Sequence, residues 1–186
     1  MKMTLRTTTE PTTEPVTLAH LRGHVRADES DEDALLLGYL IAARTHAEQA
    51  IGQPIVPRVM TGVAEAWPVD GAIELSIPVI SVDSVTYTNA VGVVVPWTTF
   101  VVRRSQGGRV FIRPTATTDW PELGDDPVIT VTVTAGFAET PEPIVMAILL
   151  LAAHWFGNRE TVGPNMSELP FTVAALLAPY RVQWTA

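Results

Sequence analysis

The sequence predicts an α+β fold: N-terminal helices, a central antiparallel β-region, and two C-terminal helices. Three observations predict it. Leu37, Leu40, Ile41, Arg44, Ala47 and Ile51 recur at helical spacing and are closed by Gly52 and Pro54. Ile129, Val131 and Val133 alternate with Thr130, Thr132 and Thr134, which gives a strand one apolar face. A continuous apolar run, Ile144 to Ala153, precedes a second short apolar segment that closes on Pro179-Tyr180-Arg181. Helices grouped on either side of a run of strands imply α+β order, not an alternating parallel sheet.

The first fifteen residues carry a tandem TTEP, at 8–11 and again at 12–15. Thr, Glu and Pro there supply no large apolar side chain to offset ordering entropy, so residues 1–15 are expected as a flexible arm. Thr17 is a candidate N-cap for a short helix, Leu18 to Val25. The acidic run Asp28-Glu29-Ser30-Asp31-Glu32-Asp33 sits where Ser30 or Asp31 can cap the next helix, expected from Asp31 to Ile51, and where carboxylates oppose its positive end.

From Ile55 to Phe137 the period changes to two. Ile73, Leu75 and Ile77 alternate with Glu74 and Ser76. Ile80 and Val82 are out of phase with Val85 and Tyr87, which a one-residue bulge near Asp83-Ser84 reconciles. Phe100–Arg104 and Arg109–Arg113 flank Ser-Gln-Gly-Gly as a hairpin. About five or six strands are expected at ordinary strand lengths. Thr140 and Pro141 open the first C-terminal helix, and Gly157 falls where a C′ residue belongs. Residues 16–186 are expected as a single domain.

At 186 residues, 47% of them hydrophobic and 17% charged, the chain can bury one sizeable core. Its longest uncharged apolar run would rise roughly 15 Å as a helix, half of a bilayer's hydrocarbon core of roughly 30 Å, so no membrane role is expected. No secretory pattern follows Lys2 and Arg6. Zero cysteines exclude disulfides, thiolate metal sites and Cys nucleophiles. A net charge of −8 opposes electrostatic gripping of nucleic acid but suits a surface that DNA passes without sticking. The cations are eleven Arg and one Lys, a bias that either interfaces or a GC-rich genome produces.

Catalytic patterns fail one by one. His20 and His24 share a helix face, but Leu21, Arg22 and Gly23 between them offer no general base and no third ligand is evident. The pair reads as a surface pair, with a small metal-dependent hydrolase as the enzymatic alternative. Counting from Asp28, a calcium loop would need Gly at the sixth position and Glu at the twelfth, where Asp33 and Tyr39 stand. No nucleophile elbow or phosphate-cradling loop is present. No catalytic, cofactor-binding or metal residues are assigned. Arg103, Arg104, Arg109 and Arg113 cluster on one hairpin, whose like charges need either solvent or an acidic neighbour. The Asp28–Asp33 run of an adjacent copy is one candidate. His154, Trp155, Phe156, Asn158, Arg159 and Glu160 read as core anchors with a local ion pair, although Trp and Arg also dominate interface hot spots.

Five segments in this order, TLAHLRGHVRADESDEDALLLGYLIAARTHAEQAIGQPI, ELSIPVISVDSVTY, VTVTAGF, AILLLAAHWFGNRE and LPFTVAALLAPYR, resemble the head–tail connector (adaptor) family of long-tailed bacteriophages and phage-derived gene transfer agents. They span nearly everything from Val16 to Arg181. The resemblance implies a structural adaptor made in the bacterial cytoplasm and carried at the head–tail junction of a phage-like particle. Such adaptors form a homo-oligomeric ring, usually a dodecamer, between the portal protein and a stopper or tail terminator protein, and extend the channel for double-stranded DNA. Another tail-tube or stopper component is the alternative. The resemblance places a portal-docking segment at about 171–186, with Phe171, Leu176, Leu177, Pro179, Tyr180, Arg181 and Trp184 as contact residues. Asp31 and Asp33 join the four hairpin arginines as candidate subunit contacts, and Asp28, Glu29 and Glu32 as candidate lumen acids.

Ile144–Phe156 is apolar on every face and is expected as the subunit's own core helix. Phe171–Arg181 is expected to be buried in a partner, so that deletion from Phe171 onward would leave a folded subunit unable to dock.

Overall fold

A computed structural model describes residues 1–27, 32–69, 71–105, 108–158 and 171–182. The expectation of one domain from residue 16 is corrected: the chain forms two compact units. One is built from Met1–Pro11 and Pro57–Gly136, the other from Thr12–Val56 and Phe137–Ala186.

The first unit is β throughout its described residues. Its strands are β1 (Lys2–Met3), β2 (Arg6–Thr7), β3 (Arg58–Ala64), β4 (Ile73–Leu75), β5 (Val79–Thr88), β6 (Val94–Pro96), β7 (Phe100–Arg104), β8 (Val110–Pro114) and β9 (Ile129–Ala135). They form a four-stranded sheet, β1-β4-β8-β7, and a five-stranded sheet, β2-β3-β9-β5-β6. Pairing is antiparallel except for β1 on β4. The region after residue 56 thus holds seven strands where five or six were expected; Arg58–Ala64 and Val94–Pro96 were not singled out, the latter being too short to show a period.

Residues 1–15 are not the expected arm. Lys2–Met3 and Arg6–Thr7 add strands to the two sheets, and Met3 and Leu5 are buried in the β core. The apolar side chains that repay ordering lie before the repeat, at Met3 and Leu5. Gly62 in β3 leaves the space they use: a Cβ there would come within 2.6 Å of the Met3 side chain. The core of this unit draws Ile73, Leu75, Val110 and Ile112 from one sheet and Met60, Val85, Val131 and Val133 from the other.

The expected bulge is present and has a companion. Register against β9 shifts between Val82 and Ser84, and again between Val79 and Ser81. The second shift turns Val79 inward and leaves Ile80 partly exposed, contrary to the phase read from the sequence. Asp83, the extra residue of the first bulge, accepts hydrogen bonds from Ser81 Oγ at 2.6 Å and Thr134 Oγ1 at 2.8 Å.

The second unit is helical: α1 (Leu18–Val25), α2 (Asp33–Ile51), α3 (Glu142–Gly157) and α4 (Phe171–Leu177), with a 3₁₀ turn at Ala178–Tyr180. Thr17 caps α1 as expected, its Oγ1 accepting the His20 N–H at 3.2 Å. Gly52 closes α2 in the left-handed region at φ 75°, where a side chain would be strained. The helix begins at Asp33, and the proposed Ser30 or Asp31 caps lie outside the described residues. α3 continues through Gly157, so Asn158 is its cap residue, with its N–H on His154 O at 3.0 Å. Leu21, Leu36, Leu40, Ile51, Ile144, Ile148 and Leu149 fill the helical core.

One buried cation organises this unit. Arg44 lies in the middle of α2 with its guanidinium between Glu14, at 2.8 Å, and Glu48, at 3.0 Å. Glu48 also accepts the Ile55 N–H at 2.8 Å. A charge taken this far from water is tolerated only when paired, and stripping one partner leaves the other charges uncompensated. Arg44→Ala should therefore cost about 3–5 kcal/mol of stability. Urea denaturation followed by circular dichroism measures it, and a loss below about 1 kcal/mol would contradict the assignment.

Candidate interaction surfaces

α4 presents two faces. Val173 and Leu177 are buried in the helical core at 1% exposure, while Phe171 at its first position stands 88% exposed. Of the expected docking residues, Leu177 is thus corrected to an internal core residue. Its burial follows from i, i+4 spacing with Val173, which puts both on the face toward the core. Leu176 and Tyr180 are half-buried, Pro179 and Arg181 are exposed, and Trp184 lies outside the described residues.

The chain after α4 is tied to the end of α2. A helix leaves its last carbonyls without internal donors. Here Arg181 Nε donates to Ala50 O at 3.0 Å, the Val182 N–H donates to Ile51 O at 2.8 Å, and Gln53 Nε2 donates to Tyr180 O at 2.9 Å. The Arg181 charge also faces the negative end of the α2 dipole. The Tyr180 ring meets Phe137 edge-on at 6.1 Å. Among the described residues of this segment, Phe171 is the large apolar side chain left to solvent. Deletion from Phe171 onward would remove two core side chains and the α2 caps, so the expectation of an intact subunit after that deletion does not stand.

The four hairpin arginines separate. Arg104 points to the bulge of β5, where its guanidinium donates to Val79 O and to Ile80 O, the latter at 2.7 Å. Arg109 pairs with Glu74 at 3.3 Å. Arg103 and Arg113 are exposed and have no ion-pair partner among the described residues. Asp33 is engaged by Arg22 through two guanidinium nitrogens within its own unit. Glu32 is half-buried, and Asp28, Glu29 and Asp31 lie outside the described residues.

His20 and His24 are both exposed, and among the described residues no three His, Asp or Glu side chains gather as a metal cluster. Among the same residues no helix is long and apolar enough to cross a membrane. His154–Phe156 acts as an anchor: Trp155 meets His46 edge-on at 6.0 Å, and Phe156 meets Tyr39 at 6.5 Å. Arg159 and Glu160 lie outside the described residues.

Two features escaped the sequence reading. Val91, Val93 and Val94 stand exposed at the β5–β6 hairpin tip, where Asn89 Oδ1 accepts the N–H groups of Val91 and Val93. Asn89 followed by Gly92 was a readable turn signal. Trp67, Trp97 and Trp120 form a cluster, Trp67 and Trp120 stacked at 4.7 Å. No local pattern joins tryptophans so far apart in sequence.

No family model matches the sequence, and no curated protein matches it. Solved structures do. The chain is similar to one from the neck of an empty gene transfer agent particle solved with C6 symmetry, at 25% identity and TM-score 0.80, covering 98% of this chain and 97% of that one. It is similar to a chain of the virion of a native gene transfer agent particle at 26% identity and TM-score 0.79, with the same coverage. A chain from the neck of the native particle solved with C12 symmetry shares the fold, at 23% identity and TM-score 0.75. The similarity to chains of gene transfer agent particles therefore covers 98% of the chain, more than the span from Val16 to Arg181 that the five segments occupy.

The two faces of α4 separate by mutation. Leu177→Ala should cost about 2–5 kcal/mol, as deletion of a packed core side chain does. Phe171→Ser should change stability by no more than about 0.5 kcal/mol. Chemical denaturation of both variants checks the split, and equal losses would refute it.

Proposed function

We propose that this chain is a structural, non-enzymatic component of the neck of a phage-like particle, and within it the head–tail adaptor. The observation that carries this reading is similarity at 25–26% identity over 98% of the chain to chains of gene transfer agent particles, one of them in a neck with C6 symmetry. A cyclic arrangement asks each copy to present two different, mutually complementary faces. In this reading the copies close into a ring, a dodecamer by the family resemblance, that continues the DNA channel between portal and stopper.

Phe171 is the anchor proposed for the portal, supported by Leu176, Pro179 and Tyr180, while Arg181 stays with the end of α2. A large aromatic side chain left in water on a short, well-fixed helix is the residue type that carries binding energy when a partner encloses it. Asp28, Glu29 and Glu32 are proposed to face the lumen, where repeated negative charge would repel phosphate during DNA passage. A reconstruction of the assembled neck that puts those residues on the outer wall would remove that assignment.

Sedimentation with a purified portal ring tests the adaptor role. Wild-type chain should co-sediment with the ring. Phe171→Asp should keep its fold and lose at least about tenfold in affinity, since central anchors commonly contribute more than 1.4 kcal/mol. Binding to tail proteins with none to the portal would instead indicate a tail-tube or stopper component.

A further inference from the structure

The outward face of the β1-β4-β8-β7 sheet concentrates positive charge in an acidic chain. Side chains alternate across strands, so Val101 and Arg103 of β7 share a face with Phe111 and Arg113 of β8, with Arg109 just before β8, and with Glu74 of β4 and Lys2 of β1. The opposite face carries the buried Met3, Ile73, Leu75, Val110 and Ile112. Register places Arg103 directly across from Phe111 and Val101 across from Arg113. Opposed side chains lie about 5 Å apart and diagonal ones about 7–8 Å, so Arg103 is a diagonal neighbour of both Arg109 and Arg113, with the half-buried Phe111 ring among them. Four cations against Glu74 give this face a formal charge of +3.

The charge of the whole chain is unevenly divided. The helical unit holds 11 acidic and 5 basic residues, net −6, and the β unit 9 acidic and 7 basic, net −2. Like charges at this spacing repel, and among the described residues no carboxylate pairs with Arg103 or Arg113. Arginine beside half-buried aromatic and aliphatic side chains is the composition of a protein interface. A duplex would be held only by these few cations against the repulsion of a −8 chain, which makes DNA the poorer occupant.

We infer that this face is the ring contact of the β unit, and that it receives an acidic surface of the helical unit of a second copy. The inference rests on the ring reading above and names the pairing within it: basic sheet face on one side, acidic helical unit on the other. The contact is heterologous, as cyclic closure requires. Arg103 and Arg113 supply the charge, and Val101 and Phe111 the apolar centre.

Particles assembled with variant chains test it. Arg103→Glu/Arg113→Glu should fold with an unchanged circular dichroism spectrum, because neither side chain has an ion-pair partner among the described residues, yet its incorporation into necks should fall at least tenfold below wild type. Arg103→Lys/Arg113→Lys should retain most incorporation. A photoreactive benzoylphenylalanine replacing Val101 should crosslink, in assembled necks, to residues 12–56 or 137–186 of another copy. Incorporation of the Glu variant at the wild-type level would overturn the inference. So would a Val101 adduct with DNA, with a different particle protein or with the β unit of another copy, or the lack of any adduct. Those results leave the ring reading intact, whereas wild-type chain missing from necks would overturn the ring itself.

Discussion

The helical unit depends on the charge of Arg44. A guanidinium in the middle of α2 forces the surrounding chain to bring carboxylates to it. Glu48 comes from the next turn of the same helix, and Glu14 from the segment that precedes α1. Glu48 has a second task on the Ile55 N–H, which fixes the turn after α2. One cation therefore sets the approach to α1, the interior of α2 and the exit from α2. The TTEP repeat gains a structural meaning from this. Its second copy gives Glu14 to Arg44, and its first gives Glu10 to Arg58 at 3.8 Å, so each copy supplies a carboxylate to a buried arginine, one in each unit.

Legibility followed the range of the interactions involved. α1, the end of α2, β9 and the bulge at Asp83 were readable because spacing, caps and alternation act within a few residues. The strands at Lys2–Met3 and Arg6–Thr7 were not, because their partners, β4 and β3, lie more than fifty residues away. Composition over a window that is mostly TTEP also hid the two apolar residues, Met3 and Leu5, that anchor the segment. The division into two units was hidden for a related reason. The chain passes between them near residues 11, 56 and 136, and none of those points carries a long linker. At the candidate docking segment, residue types were read correctly as apolar. Which of them turn inward depended on the register of α4 against α2 and α3, and Val173 and Leu177 took the inward positions.

Arginine usage shows how much of the surface is already committed. Arg22 holds Asp33, Arg44 holds two glutamates, Arg104 closes a bulge in β5, and Arg181 caps α2. In each case a forked donor meets either a carboxylate or carbonyl oxygens that regular hydrogen bonding has left over, a task the single-point ammonium of lysine serves less well. The excess of eleven Arg over one Lys thus has structural reasons in this chain beyond any base-composition bias.

These internal bonds also limit where partners can act. A side chain that satisfies a helix end or a bulge is a poor interface residue, because binding through it would first break an internal bond. Arg104 and Arg181 are bound in this way, Asp33 is held by Arg22 and Leu177 is packed in the core, although sequence chemistry alone made them equal candidates with their neighbours. Among the described residues Phe171 has no such commitment, nor do Arg103 and Arg113. The first is apolar area on the helical unit, and the other two are cationic charge on the β unit, so the two surfaces suit chemically different partners. A chain that works by joining others needs this arrangement. Each contact can then form without loosening the unit that carries it, and an apolar anchor and a charged face are poor substitutes for one another when copies and partners compete during assembly.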